Sequence, residues 1–155
     1  MSASPLYLKA RRVALYLAAD GEIDPVLLAM DALRRNKQIY LPVLHPLTGD
    51  RMLFVAWNQA TRLRRNRFGI PQPATLAGLV SPWQLDLVLT PLVAFDDQGG
   101  RLGMGGGFYD RTFATDLTAR WPRCPHLAGL AHGFQRVEAL PGRPWDVPLD
   151  AVFTG

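Results

Sequence analysis

A single cysteine, Cys124, stands in the 155-residue chain, so no internal disulfide staples it. That count suits a reducing compartment, and Cys124 itself reads as a small buried hydrophobe. No apolar run approaches the ~20 residues of a membrane span. No leader segment is visible either: the opening Met1-Ser2-Ala3-Ser4-Pro5 runs into a stretch broken by Lys9, Arg11 and Arg12. These absences lead us to expect a soluble, cytoplasmic protein with no membrane partner. His45, His126 and His132 are scattered and show no paired spacing, which argues against a zinc site. Internal repeats and low-complexity tracts are also lacking.

What is present is an ordinary globular balance. Hydrophobic residues make up 48% and charged residues 19%, enough apolar surface for one packed domain spanning residues 1–155. The formal charge is +4. Such an excess suits a small polyanionic ligand as well as nucleic acid. It is modest, and no RNA-binding signature accompanies it, so nucleic acid is not the expected partner. The basic run Arg62, Arg64, Arg65 and Arg67 reads first as a solvated loop, with an anionic tail or RNA as its alternatives.

Periodicity predicts a helix over Leu6 to Leu17 and a second after Asp24-Pro25, with Val26, Leu27, Met30 and Leu33 on one face. Strands are predicted near Gln38–Pro42, Met52–Trp57, Leu85–Thr90, His126–Ala131 and Ala151–Thr154. Phe68-Gly69-Ile70-Pro71-Gln72-Pro73 reads as an ordered loop, and a further helix is expected from Phe108 to about Arg120. Strands alternating with helices imply an α/β fold: a three-layer α/β/α sandwich on a mostly parallel, mixed sheet, Rossmann-like.

The richest segment is Arg101-Leu102-Gly103-Met104-Gly105-Gly106-Gly107-Phe108-Tyr109-Asp110-Arg111. Glycine admits positive φ and lets an anion approach the backbone with no Cβ between. A glycine loop opening a helix therefore suits phosphate, and Arg101 adds forked donors. No Lys-Ser/Thr pair follows the glycines, so this is not a Walker A loop; a dinucleotide fingerprint would need glycine at Phe108. The bland reading is a tightly turned connector.

This segment resembles the R-L-G-x-G-x-G-Y-Y-D signature of the 5-formyltetrahydrofolate cyclo-ligase family, with Phe108 replacing the first tyrosine. Four more stretches resemble that family in order. They are Gly21-Glu22-Ile23-Asp24, the Phe68 to Pro73 loop, the run from Asp86 to Asp96, and Pro144-Trp145-Asp146-Val147-Pro148-Leu149-Asp150-Ala151-Val152. The match begins near Leu8. The family's further N-terminal helix, which supplies a Lys and an Arg to the ATP phosphates, has no counterpart here, so an N-terminally shortened domain is expected.

The resemblance implies a ligase that closes 5-formyltetrahydrofolate to 5,10-methenyltetrahydrofolate with ATP and Mg²⁺, acting as a monomer. Its ATP-binding residues would be Arg101, Leu102, Gly103, Met104, Gly105, Gly106, Gly107, Phe108 and Tyr109. Leu17, Glu22, Phe68, Phe108 and Tyr109 would contact the reduced folate, and Asp110 and Asp146 would hold Mg²⁺. No side-chain nucleophile is implied; Arg101 would stabilise phosphoryl charge. The alternative is a noncatalytic nucleotide- or folate-binding relative.

Overall fold

A computed structural model describes residues 1–19, 21–114 and 124–155. Helix α1 (Pro5–Lys9) leads into β1 (Arg12–Ala14), and α2 (Val26–Arg34) returns the chain to β2 (Gln38–Leu44) and β3 (Met52–Trp57). A small hairpin, β4 (Leu63–Arg65) and β5 (Pro71–Pro73), precedes β6 (Leu79–Val80) and β7 (Leu87–Thr90). A second hairpin pairs β8 (Ala94–Phe95) with β9 (Arg101–Leu102). Helix α3 (Phe108–Phe113), β10 (His126–Ala131) and β11 (Ala151–Thr154) complete the described elements.

The main sheet has seven strands in the order β11-β10-β7-β1-β2-β3-β6. The pairings β1–β2, β1–β7, β7–β10 and β10–β11 are parallel; β2–β3 and β3–β6 are antiparallel. The expected mixed, mostly parallel α/β architecture is observed. Strand β1 is the pivot. The chain builds β2, β3 and β6 on one side of it, then crosses back to build β7, β10 and β11 on the other. The reversal falls between β1 and β7, where an open α/β sheet forms a crevice beyond its carboxyl edge.

Alternation along the strands sorts two cores. Val13, Leu15, Ile39, Leu41, Leu87, Leu89, Ala128 and Leu130 pack with Tyr7 and α2 on one face. Ala14, Tyr40, Phe54, Val88, Leu127 and Ala131 pack with Phe113 of α3 on the other. Both faces are covered, so the strands read as unbroken apolar runs.

That is why the helix expected over Leu6 to Leu17 stops at Lys9 and gives way to a strand. Ala10 already has extended backbone, and Val13 and Ala14 are fully buried, paired with Ile39 and Tyr40 on one side and Leu87 and Val88 on the other. A strand buried on both faces cannot be told from a buried helix by periodicity.

The inward face of α2 also differs from expectation. Ala29 and Ala32 meet the sheet, Leu33 packs at the margin, and Val26, Leu27 and Met30 are exposed. Two small residues let the helix axis lie close to the sheet, and this sets its phase. The loop expected at 68–73 contributes β5, part of a hairpin. Helix α3 ends at Phe113; the rest of the helix expected to Arg120 falls largely outside the described residues. Cys124 is exposed rather than buried, because it precedes β10 and the buried pattern starts at Pro125 and Leu127. Among the described residues no helix is long and apolar enough to cross a membrane.

Phe54 is fully buried in β3 and meets Phe113 at 6.0 Å between ring centroids. Phe54→Ala should cost about 3–5 kcal/mol, the range for truncating a buried aromatic. Urea unfolding of the variant against wild type reads this directly.

Candidate functional site

The β8–β9 hairpin grows from the carboxyl end of β7 and is built around one carboxylate. Asp96 is 6% exposed. Its Oδ1 accepts the backbone N–H groups of Gln98 at 3.0 Å and Gly100 at 2.8 Å; its Oδ2 accepts that of Leu140 at 2.9 Å. These donors, Leu140 first, hold its carboxyl below the usual carboxylate range. The turn requires glycine at two points. Gly99 has φ +84°, and a Cβ on Gly100 would stand 2.5 Å from Asp96 Oδ2. Gln135 ties the same region from another side: its Nε2 donates to the carbonyls of Leu92 and Val93, and its Oε1 accepts from His132 N.

The hairpin delivers Arg101. Its side chain is 7% exposed, and its Nη2 donates to Asp110 Oδ1 at 3.0 Å. The guanidinium lies 5.5 Å from the Tyr109 ring centroid, and its Nε is buried with no hydrogen-bond partner. Asp110 Oδ1 also accepts Val147 N–H at 3.0 Å. Asp146, one residue before Val147, is exposed in a turn in which its Oδ2 accepts Arg143 N–H. The Val147 N–H thus ties the segment that carries Asp146 to Asp110, while the Asp146 carboxylate itself is engaged by Arg143 N–H.

Between Arg101 and Asp110 the loop stands open. Gly105 has φ +92° and no atom within 4 Å of where a Cβ would sit. Gly107 is left-handed at φ +65° and caps α3. Met104 is 73% exposed at the tip, and Leu102 is half-exposed, its carbonyl accepting Val93 N–H. Arg111 braces the loop from behind, donating to the carbonyls of Gly106 and Asp50.

A second wall comes from the loop after β1. Glu22 Oε2 accepts Ala19 N–H at 3.0 Å, and Leu17 is exposed on the same loop. Tyr16 anchors that loop, its phenol donating to Ile23 O at 2.6 Å. Burial pushes the Tyr109 phenol above its ordinary pKa; Arg101 opposes this, and Glu22 and Tyr16 add to it. Burial likewise raises Tyr16, with Glu22 and then Asp24 contributing. Glu22, Tyr16, Tyr109 and Arg101 therefore share one electrostatic environment.

Phe68 reaches the loop from the tip of the β4–β5 hairpin. Its ring meets Phe108 edge-on at 5.6 Å. Asn66 shapes the tip by accepting the N–H groups of Phe68 and Ile70, and Arg67 stacks over Phe68 at 4.7 Å. The structure thus brings Arg101 to Asp110 together with Phe68 and places Glu22 in their field, while Leu17 is exposed on the loop after β1 and Asp146 lies beside Val147.

This geometry accompanies a decisive match. The sequence model of the 5-formyltetrahydrofolate cyclo-ligase family matches residues 1–155. The chain belongs to this family. It is 44% identical over 149 residues to the 5-formyltetrahydrofolate cyclo-ligase of Haemophilus influenzae, covering 95% of this chain and 77% of that protein. The 5-formyltetrahydrofolate cyclo-ligase of Escherichia coli K12 is 43% identical over 156 residues, covering 99% of this chain and 83% of that protein. In structure the chain is similar to the 5,10-methenyltetrahydrofolate synthetase of Aquifex aeolicus, with a TM-score of 0.77 and 33% identity, covering 99% of this chain and 73% of that one. The cyclo-ligase relatives and the shared fold make this chain an enzyme of folate chemistry.

Sequence reasoning missed Asp96, Tyr16, Asn66 and the Val147 N–H as parts of this candidate site. Asp96 carried a signal, an aspartate opening a D-D-Q-G-G turn, but its burial did not show. The backbone donor of Val147 leaves no trace in residue identity.

Asp96 makes a pH prediction. Its folded pKa is depressed, so its contribution is fully present above the ordinary carboxylate value, about 4, and is lost as pH falls through the folded value. Asp96→Asn should lower the unfolding temperature at neutral pH. The gap to wild type should narrow progressively below about pH 4. Thermal melts across that range check it, and a gap independent of pH would contradict it.

Proposed function

We propose that this chain catalyses the ATP- and Mg²⁺-dependent cyclisation of 5-formyltetrahydrofolate to 5,10-methenyltetrahydrofolate, releasing ADP and phosphate. The observation that carries the reading is the open backbone around Gly105, flanked by the Arg101–Asp110 ion pair to which Val147 N–H is bonded, in a chain of cyclo-ligase ancestry. The triphosphate lies along residues 101–109, where glycine backbone admits close approach and Arg101 supplies charge. Among the described residues no three His, Cys, Asp or Glu side chains converge as a metal cluster. Mg²⁺ ordinarily rests on one or two carboxylates plus phosphates, and Asp110 and Asp146 are the carboxylates this reading assigns to it. When bound it neutralises the charge of the transferring phosphoryl group.

The reduced folate faces the other wall. Glu22 accepts N–H groups of the pterin, Phe68 and Phe108 flank its ring system, and Leu17 and Tyr109 line the contact. The formyl oxygen attacks the γ-phosphorus, the bond to the β-phosphate oxygen breaks, and ADP departs. N10 then attacks the formyl carbon, the carbon–oxygen bond breaks, phosphate leaves with that oxygen, and N10 loses its proton. Catalysis here is positioning and charge stabilisation, with no covalent enzyme intermediate. We place the protein in the cytoplasm, acting as a monomer.

The test is absorbance at the methenyl product's ultraviolet band, with the chain mixed with 5-formyltetrahydrofolate, ATP and Mg²⁺. A rise that requires all three is expected; ligand binding without a rise would overturn the reading in favour of a noncatalytic relative. Arg101→Ala should lower kcat about 10²-fold, the usual effect of losing one transition-state charge donor. Gly105→Val should abolish measurable ATP binding in calorimetry, since a branched side chain at positive φ closes the cradle. Asp110→Asn should lose turnover and yet bind Mg²⁺-free ATP more tightly than wild type, because Arg101 is released from its ion pair.

A further inference from the structure

At the amino edge of the sheet, opposite the glycine loop, α1, β1, α2 and β2 enclose a groove of about 730 Å³. Its lining includes Lys9, Arg11, Arg12, Arg35, Lys37 and Gln38, with no acidic and no aromatic side chain. Helices α1 and α2 both end here, so the simplest account is that the cations answer the carbonyls of two helix ends.

The hydrogen bonds leave most of this charge unused. The end of α2 is closed by its own backbone: Lys37 N–H bonds Ala32 O and Asn36 N–H bonds Leu33 O, around Asn36 at φ 55°. At the end of α1, Ala10 N–H bonds Leu6 O, and Lys37 Nζ donates to Leu8 O at 3.1 Å and Ala10 O at 2.5 Å. An ammonium has three donors; two are spent on carbonyls, and the Nζ also lies 4.9 Å from the Tyr7 ring centroid. Arg35 is paired with Asp31. Arg12 meets only neutral acceptors, Gln38 Oε1 and Gln84 O, each at 3.3 Å. Asp86 spends Oδ2 on the backbone N–H groups of Arg11 and Arg12. The side chains of Lys9 and Arg11 make no hydrogen bond or ion pair among the described residues, and both are exposed. Burial lowers the pKa of Lys37 and Arg35 lowers it further, with Asp31 and Asp86 opposing.

The geometry points to a binding site for a compact multivalent oxyanion, held by Lys9, Arg11, Arg12 and Lys37. The volume lies within the usual range of small-molecule sites, about 300–1,000 Å³. Without an aromatic side chain the groove has no platform for a base or other ring, so the recognised groups are the charged ones, phosphoryl or carboxylate. The site is formed by the ends of strands opposite those that carry Glu22 and the glycine loop. A ligand in it leaves the proposed nucleotide cradle open.

The experiment follows backbone amide shifts of the isotope-labelled full chain while pyrophosphate or citrate is added at constant ionic strength. Saturable shifts at residues 9–12 and 35–38 are expected. Lys9→Gln with Arg11→Gln should weaken them at least ~10-fold, since a charge-assisted hydrogen bond contributes that much or more. Both residues are exposed, and unchanged shifts across the core would show that the variant is folded. Response to pyrophosphate alone assigns phosphoryl ligands, and response to citrate alone assigns polycarboxylates; either supports the site. Shifts confined to 103–107, shifts at the groove that the double variant leaves intact, or none at 9–12 and 35–38 would overturn it.

Discussion

Asp96 keeps its charge inside the protein because three backbone N–H groups surround it, and the geometry of the candidate site follows from that cage. Two of the donors, from Gln98 and Gly100, close the β8–β9 turn; the third, from Leu140, pins a segment beyond β10. A carboxylate so held is costly to leave unsatisfied, so the hairpin and the distant segment are fixed together. Phe95 consequently bridges Arg136, and Leu149 N–H bonds Gly99 O. Arg101 leaves this assembly in one direction, toward Asp110. Gly100 is indispensable, since a Cβ there would collide with the carboxylate itself.

The ion pair between Arg101 and Asp110 sets the electrostatic character of the site. Both partners are largely buried, and Val147 N–H reinforces the same carboxylate oxygen. In the free protein the group proposed to hold phosphate and one proposed to hold metal neutralise each other. A substrate that brings both anion and cation can replace this pair without stranding a charge, which favours a metal–nucleotide complex over either component alone. Arg101 Nε is a buried donor that the ion pair leaves unused.

The two edges of the sheet differ in kind. The carboxyl edge carries long loops, left-handed glycines and aromatic walls, as expected beside the reversal between β1 and β7. The amino edge carries helix ends and concentrated positive charge that the helices do not consume. The two proposed anion sites lie on opposite edges and share no groups.

Much of this was determined by residue identity alone. The run from Arg101 to Asp110 marked the loop, because only glycine tolerates its conformation and openness. Five ordered motifs marked the family, and alternation of apolar runs with helical stretches marked the α/β class. Tertiary structure decided the rest. Whether the Val13 stretch is helix or strand depended on strands far along the chain covering both its sides. The inward face of α2 was chosen by two alanines fitting the sheet, against a wider apolar stripe. Asp96 became a buried anchor, and Asp110 was tied to the segment around Val147, through backbone N–H groups. Every residue type but proline carries that donor, so no sequence pattern reveals where it points; only the folded path of the chain does.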